Sequence, residues 1–149
     1  MSIRRVVVED YGILKDLAVN VLEPLYGDQS KSLREWFTGD GYKHAFVLDS
    51  EHGIAGFLSL KINPNKPYLK ISTLFVFDGH KRLGCGKKLL AKAVRVAKDL
   101  GYHRLVVTVS DKKPEAMDFF LHSGFSIINK KPGKYRPDST EFILDMAIF

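Results

Sequence analysis

The sequence predicts a mixed α/β fold in one domain, and three observations carry that reading. Short β-branched and apolar runs of strand length alternate with stretches whose apolar residues recur at helical spacing. Glycines and prolines fall at the joints between them. The 149 residues suit a single hydrophobic core. The predicted order is β-α-α-β-β-β-α-β-α-β-β, with no internal repeat, low-complexity segment or linker.

Residues 3–8 are rich in β-branched side chains and suit a first strand. Asp10 is placed to cap the next helix, in which Leu14, Leu17, Ala18, Val21 and Leu22 share one face and which Pro24 and Gly27 should end. Ser32 and Glu35 have capping-box spacing for a short helix carrying Leu33, Trp36 and Phe37. Strands are predicted at 44–49 and 54–61 around the turn Ser50-Glu51-His52-Gly53, and at 68–77 after a proline-rich loop. Residues 86–100 give the clearest helix, with Leu89, Leu90, Ala93, Val94, Val96, Ala97 and Leu100 making an apolar face and the cations largely opposite. A buried strand follows at 105–109. Pro114 then opens a helix closed by Gly124, and strands at 125–129 and 141–148 flank the loop 130–140.

Composition narrows the function. Hydrophobic residues make up 45% and charged residues 27%, which excludes a disordered chain. No apolar run approaches the ~18 residues of a membrane span, and the first residues lack the apolar core of a signal peptide. Cys85 is the only cysteine, so an intrachain disulfide and a multi-cysteine metal site are both excluded. A cytoplasmic location, no membrane partner and no metal are expected. The net charge of +6 is uneven. Lys81, Arg82, Lys87, Lys88, Lys92, Arg95, Lys98 and Arg104 face only Asp99 within residues 81–104, which suits a solvated helix face or a site for a phosphorylated ligand.

Chemistry concentrates in Leu74-Phe75-Val76-Phe77-Asp78-Gly79-His80-Lys81-Arg82-Leu83-Gly84-Cys85-Gly86-Lys87-Lys88, a strand, a glycine loop and a helix start in succession. Unpaired N–H groups and the positive end of the helix dipole make such a turn a phosphate cradle. A Walker loop fails because Cys85 and Gly86 stand where Lys and Ser/Thr are needed. A dinucleotide loop fails because the third glycine is missing.

The run Lys81 to Gly86 resembles the Q/R-x-x-G-x-G/A pyrophosphate signature of the GNAT superfamily of acyl-CoA-dependent N-acyltransferases, with lysine at the first position. Leu74-Phe75-Val76 is similar to the family's fourth-strand triplet. Ala116 to Phe125 is similar to its A-x-x-x-Y-x-x-x-G-F segment. The resemblance spans nearly the whole chain and implies a GNAT-type domain over 1–149 with a splayed central sheet. It implies acetyl-CoA as cosubstrate, with Lys81, Arg82, Leu83, Gly84, Cys85, Gly86, Lys87 and Lys88 at the phosphates. Leu74, Phe75 and Val76 would lie along the pantetheine arm, with Lys113 and Phe120 nearby. The implied reaction is direct transfer of an acetyl group to an amine of a small molecule, peptide or protein, with the Val76 backbone N–H as oxyanion donor. A homodimer is compatible with the resemblance, and nucleic acid is not an expected partner, since no aromatic platform interleaves the cations.

The sequence departs from the family pattern at three places. Phe120 replaces the tyrosine that often protonates the leaving thiolate. Lys113 replaces an asparagine. The strand at 68–77 has no carboxylate or histidine to act as base. His44, Asp78, His80, His122 and Tyr135 are the remaining candidates, Tyr135 foremost because the loop before the last strand often shapes the acceptor pocket. Cys85 is expected to fill space between the two glycines rather than act as a nucleophile. Trp36, Phe37 and Tyr42 suit core positions more than a pocket lining. The departures also leave open a non-catalytic acyl-CoA-binding sensor or scaffold.

Overall fold

Hydrogen bonding in the computed structural model, which describes residues 1–77, 79 and 84–149, joins seven strands into one sheet. They are β1 (Ser2–Arg5), β2 (Lys43–Ser50), β3 (Gly53–Lys61), β4 (Leu69–Val76), β5 (Arg104–Ser110), β6 (Ser126–Pro132) and β7 (Thr140–Ala147). Their spatial order is β1-β2-β3-β4-β5-β7-β6. All neighbours are antiparallel except β4 and β5, which run parallel. Helices α1 (Tyr11–Leu17), α2 (Glu23–Tyr26) and α3 (Ser30–Thr38) precede β2, while α4 (Cys85–Asp99) and α5 (Pro114–His122) follow β4 and β5. This is the predicted mixed α/β order.

Each face of the sheet is covered by its own helices. Leu89, Leu90, Ala93 and Ala97 of α4 and Phe120 of α5 pack on Leu58, Leu60, Leu69, Ile71, Leu105, Val107 and Leu144. On the other face Leu14, Leu17, Leu22, Leu33 and Trp36 pack on Val47 and Phe57, with Phe75 and Phe77 at the margin. Close approach of α4 depends on Gly56, where a Cβ would stand 2.8 Å from Leu89 Cδ1.

Three local expectations are corrected. Pro24 does not end the first helix. A π turn at Ala18–Leu22 resets the hydrogen-bond register, and Pro24 then sits in the first turn of α2, where a missing N–H costs little. Asp10 holds the N-cap position of α1, but its side chain makes no cap hydrogen bond there. Its buried carboxylate accepts from Val7 N at 2.8 Å and from both Arg4 terminal nitrogens at 2.9 Å, and the Arg4 hydrogen bonds hold it below the usual carboxylate range. Ser32 and Glu35 form no capping box, because α3 starts earlier and Asp28 accepts from Ser30 N and Oγ. The edge strand β6 also runs further than predicted, ending at Pro132, a residue an unpaired strand edge tolerates.

Candidate active site

β4 and β5 pair only at Leu69↔Leu105, Lys70↔Val106 and Ile71↔Val107. Beyond that point each strand continues with its outer neighbour alone, β4 with β3 and β5 with β7. The sheet therefore splays, and the upper part of β4 carries an unpaired inner edge. Phe77 N donates to Ala55 O at 3.0 Å. Alternation along an antiparallel pair then turns the N–H and C=O of Val76 and Leu74 away from β3, toward the opening. Side chains divide the same way, with Leu74 and Val76 toward the α4 core and Phe75 edge-to-face with Phe77 at 5.1 Å on the other side.

The start of α4 borders this opening. Gly84 is its N-cap, in the left-handed region at φ 73°, and no side chain caps the helix. The first backbone bond into the turn is Lys88 N to Gly84 O at 3.1 Å, so the amides of Cys85, Gly86 and Lys87 have no helical acceptor. Lys87 and Lys88 are exposed beside them, whereas Cys85 is fully buried in the core as the filler expected of it. Gly86 has a packing reason of its own, since a Cβ there would meet the Phe119 ring at 3.2 Å.

The opposite wall comes from α2, the end of β5 and the β6–β7 loop. Ser110 and Glu141 are cross-strand partners on the face that carries Thr108 and Ile143. Glu141 is fully buried, and neither carboxylate oxygen has a hydrogen-bond partner among the described residues. Burial, followed by the charge of Asp111, pushes its carboxyl above the ordinary range, with Lys134 acting against them. Tyr26 is pushed up to about 12 by burial and then by Glu141 and Tyr135, so it stays a phenol at neutral pH. Tyr26 and Tyr135 meet edge-to-face at 5.4 Å. Arg136 fastens the loop, donating to the carbonyls of Pro24 at 3.1 Å and Glu23 at 3.2 Å.

The structure brings some predicted residues together and separates others. Leu74, Phe75, Val76, Gly84, Cys85, Gly86, Lys87 and Lys88 cluster where β4 ends and α4 begins. Lys81, Arg82 and Leu83, with Asp78 and His80, lie outside the described residues. Lys113 is the exposed N-cap of α5. Phe120 is 4% exposed, closed in by Phe119 and Phe125 at ring distances of 5.1 and 5.2 Å. His44 lies in a groove with Lys92 and Val96 of α4, its pKa lowered by burial and then by Arg5. His122 is exposed at the end of α5, with Nδ1 2.7 Å from Asp118 O. Trp36 is buried 4.5 Å from the Phe57 ring, Phe37 pairs with Tyr11, and Tyr42 is exposed. A groove of about 630 Å³ lies between α1 and α3, but none of its lining belongs to β4, β5 or α4.

A family profile described as the Acetyltransferase (GNAT) family matches residues 11–125. The chain belongs to that family. Solved structures of similar fold include an acetyltransferase of the GNAT family from Staphylococcus aureus Mu50, at 18% identity and TM-score 0.79 with 99% of each chain covered. The PaiA N-acetyltransferase of Thermoplasma acidophilum, in complex with coenzyme A, has 18% identity and TM-score 0.77 with 98% of each chain covered. Ribosomal-protein-alanine N-acetyltransferase from Brucella melitensis has 14% identity and TM-score 0.81, covering 99% of this chain and 100% of that one. No curated protein sequence matches the chain. Among the described residues no cluster of three metal-ligating side chains exists, and no helix is long and apolar enough to cross a membrane.

Sequence reasoning did not single out Glu141 or Tyr26. A signal for Glu141 was present, since it alternates in phase with Ile143 and Asp145 on a strand whose other phase is Phe142 and Leu144. A carboxylate on such a two-sided strand faces either solvent or a site.

Proposed function

We propose that the chain is an N-acetyltransferase that moves an acetyl group from acetyl-coenzyme A to a primary amine of a small molecule, peptide or protein, by direct transfer with both substrates bound. The observation that carries this reading is the unpaired inner edge of β4 running up to the uncapped start of α4. The residues fit the cosubstrate. Backbone groups of Leu74 and Val76 face the opening and would pair with an amide-bearing arm as an added strand does. The amides of Cys85, Gly86 and Lys87, which have no acceptor within the helix, and the charges of Lys87 and Lys88 would hold phosphate, joined by Lys81, Arg82 and Leu83. When bound, acetyl-coenzyme A supplies an activated thioester.

The chain's own groups would do the rest. The Val76 N–H is aimed into the opening, where it would donate to the acyl oxygen; a pre-organised donor of this kind is worth about 3–4 kcal/mol. Holding the amine against the acyl carbon is the larger contribution, up to about 7–11 kcal/mol. Tyr26 and Tyr135 stand on the side from which the amine would enter, with Glu141 buried beside Tyr26. Phe120 brings no proton, and a thiol with pKa near 8.5 leaves adequately without one.

The test is calorimetric titration with acetyl-coenzyme A, then thiol release against a panel of amines. Binding with thiol release supports the reading, and absence of binding refutes it. The buried, hydrocarbon position of Phe120 favours one second reading, a sensor that holds acyl-coenzyme A without turnover. Tight binding without release from any amine would select it.

A further inference from the structure

A groove of about 440 Å³ runs between the β1 edge of the sheet and the second half of α4. That volume is within the range of small-ligand sites. Strand alternation fixes one wall. Ile3 and Arg5 share a face of β1, Arg5 pairs across to Phe46, and His44 stands two residues from Phe46 on the same face of β2. Lys92 and Val96 come down from α4 to form the other wall, with Leu100 at its C-cap.

Two cations converge here on a single ring. The Arg5 guanidinium carbon lies 5.0 Å and Lys92 Nζ 5.1 Å from the centre of the Phe46 ring, whose face attracts both. Among the described residues neither forms an ion pair. Asp99 is the one acidic side chain among those lining the groove, and Arg95 holds it at 3.8 Å. Arg4, at the border, is held by Asp10 and Asp49. His44 adds a donor. Both Arg5 terminal nitrogens lie 3.3 Å from its Nδ1, and a guanidinium can only donate. Nδ1 therefore accepts, and the neutral ring carries its proton on Nε2. Burial and then Arg5 lower the His44 pKa, which keeps the ring in that form. N–H groups of Arg5, His44 and half-buried Lys92 thus stand beside an apolar floor that includes Phe46, Ile62 and the exposed Leu100.

We propose that this groove binds a small organic oxyanion, a carboxylate or phosphate carried on an apolar body, with its head between Arg5 and Lys92 and its body along Ile62 and Leu100. A phosphate and a carboxylate both accept from such donors, and the charge that neither Arg5 nor Lys92 finds on the chain is supplied by the ligand. The site is separate from the acyl opening. No residue lining it belongs to β4, β5, β7 or α5, and Lys92 lies about two turns along α4 from Gly84. Its ligand would bind beside the substrates rather than in their place, and the proposal stands whether or not the chain transfers acetyl groups.

The test titrates the full chain with hexanoate and hexyl phosphate, using hexanol, hexylamine and inorganic phosphate as controls, and follows the histidine rings by NMR. The two organic anions should shift the His44 ring signals, leave those of the exposed His52 and His122 in place, and keep their affinity when coenzyme A is added. Lys92→Met and Arg5→Met should each raise Kd about tenfold or more, while Lys92→Arg should retain binding. The His44 shift in the unmutated chain reads the site without any variant. Hexanol or hexylamine binding as tightly as hexanoate would overturn the proposal, as would inorganic phosphate binding as tightly as hexyl phosphate. So would displacement by coenzyme A, unchanged affinity in Lys92→Met, or a His44 ring that does not respond. Adsorption to phosphatidylglycerol vesicles with no response to either soluble anion would overturn it in favour of a lipid surface.

Discussion

Replacing Glu141 with glutamine gives a quantitative test of the buried carboxyl. Glu141 is 0% exposed, and neither of its carboxylate oxygens has a hydrogen-bond partner among the described residues. Its folded-state pKa is raised from 4.5, by burial first and Asp111 second. A raised pKa means that the native state holds a proton the unfolded chain has released. The associated stability is complete below pH 4.5 and is lost as pH rises through the folded-state pKa. Each pH unit in that window costs about 1.4 kcal/mol, which for a chain of this size is roughly 3–6 °C in melting temperature. Glutamine keeps the shape and does not ionise. Glu141→Gln should therefore gain on the wild type by that amount per unit, then hold a constant lead above the window. The assay is the melting temperature of both proteins across acid to mildly alkaline pH at fixed ionic strength. Parallel curves would refute the reasoning, because they would mean that Glu141 ionises in the native state as freely as in the unfolded one. The same substitution should slow thiol release while leaving acetyl-coenzyme A affinity unchanged.

Other substitutions separate packing from binding. Gly84→Ala places a side chain at φ 73° with nothing within 4 Å; it should cost about 1 kcal/mol by urea unfolding and weaken acetyl-coenzyme A in calorimetry. Gly86→Ala presses on Phe119 and should cost about 1–3 kcal/mol, an effect that Phe119→Leu should relieve in the double variant. Phe120→Tyr places a hydroxyl among Phe119 and Phe125 and should cost about 1–3 kcal/mol, and an unchanged unfolding midpoint would show that the hydroxyl reaches a partner. Arg136→Ala releases the β6–β7 loop from α2; stability should stay within about 0.5 kcal/mol, while KM for the amine rises and acetyl-coenzyme A affinity holds.

The element order was legible because apolar periodicity is a one-dimensional signal. Leu89, Ala93 and Ala97 announce α4, and Val107 and Val109 announce β5, wherever their partners lie. Local signals failed where another part of the fold took the residue. Arg4 claimed Asp10 from its helix end, and a π turn carried the backbone past Pro24. At the site, the glycines and lysines of the cofactor side are contiguous in sequence and were readable together. Other groupings are assembled by register. Lys43, Lys61 and Lys70 become a row only once β2, β3 and β4 are paired, so a charge count along the chain passes over them. Tyr26 reaches Tyr135 from the far end of the sequence, a contact that no local pattern encodes.

The three rungs shared by β4 and β5 also have a mechanical meaning. They make a hinge between two leaves, one of strands β1 to β4 and one of β5, β7 and β6. Each leaf is stiffened by long antiparallel ladders, so deformation gathers at the seam. A strand-like ligand arm lying along Leu74 and Val76 would act as a staple there. Its arrival would then be felt as rigidity across the whole sheet, and slowed hydrogen exchange at these two amides would report it directly.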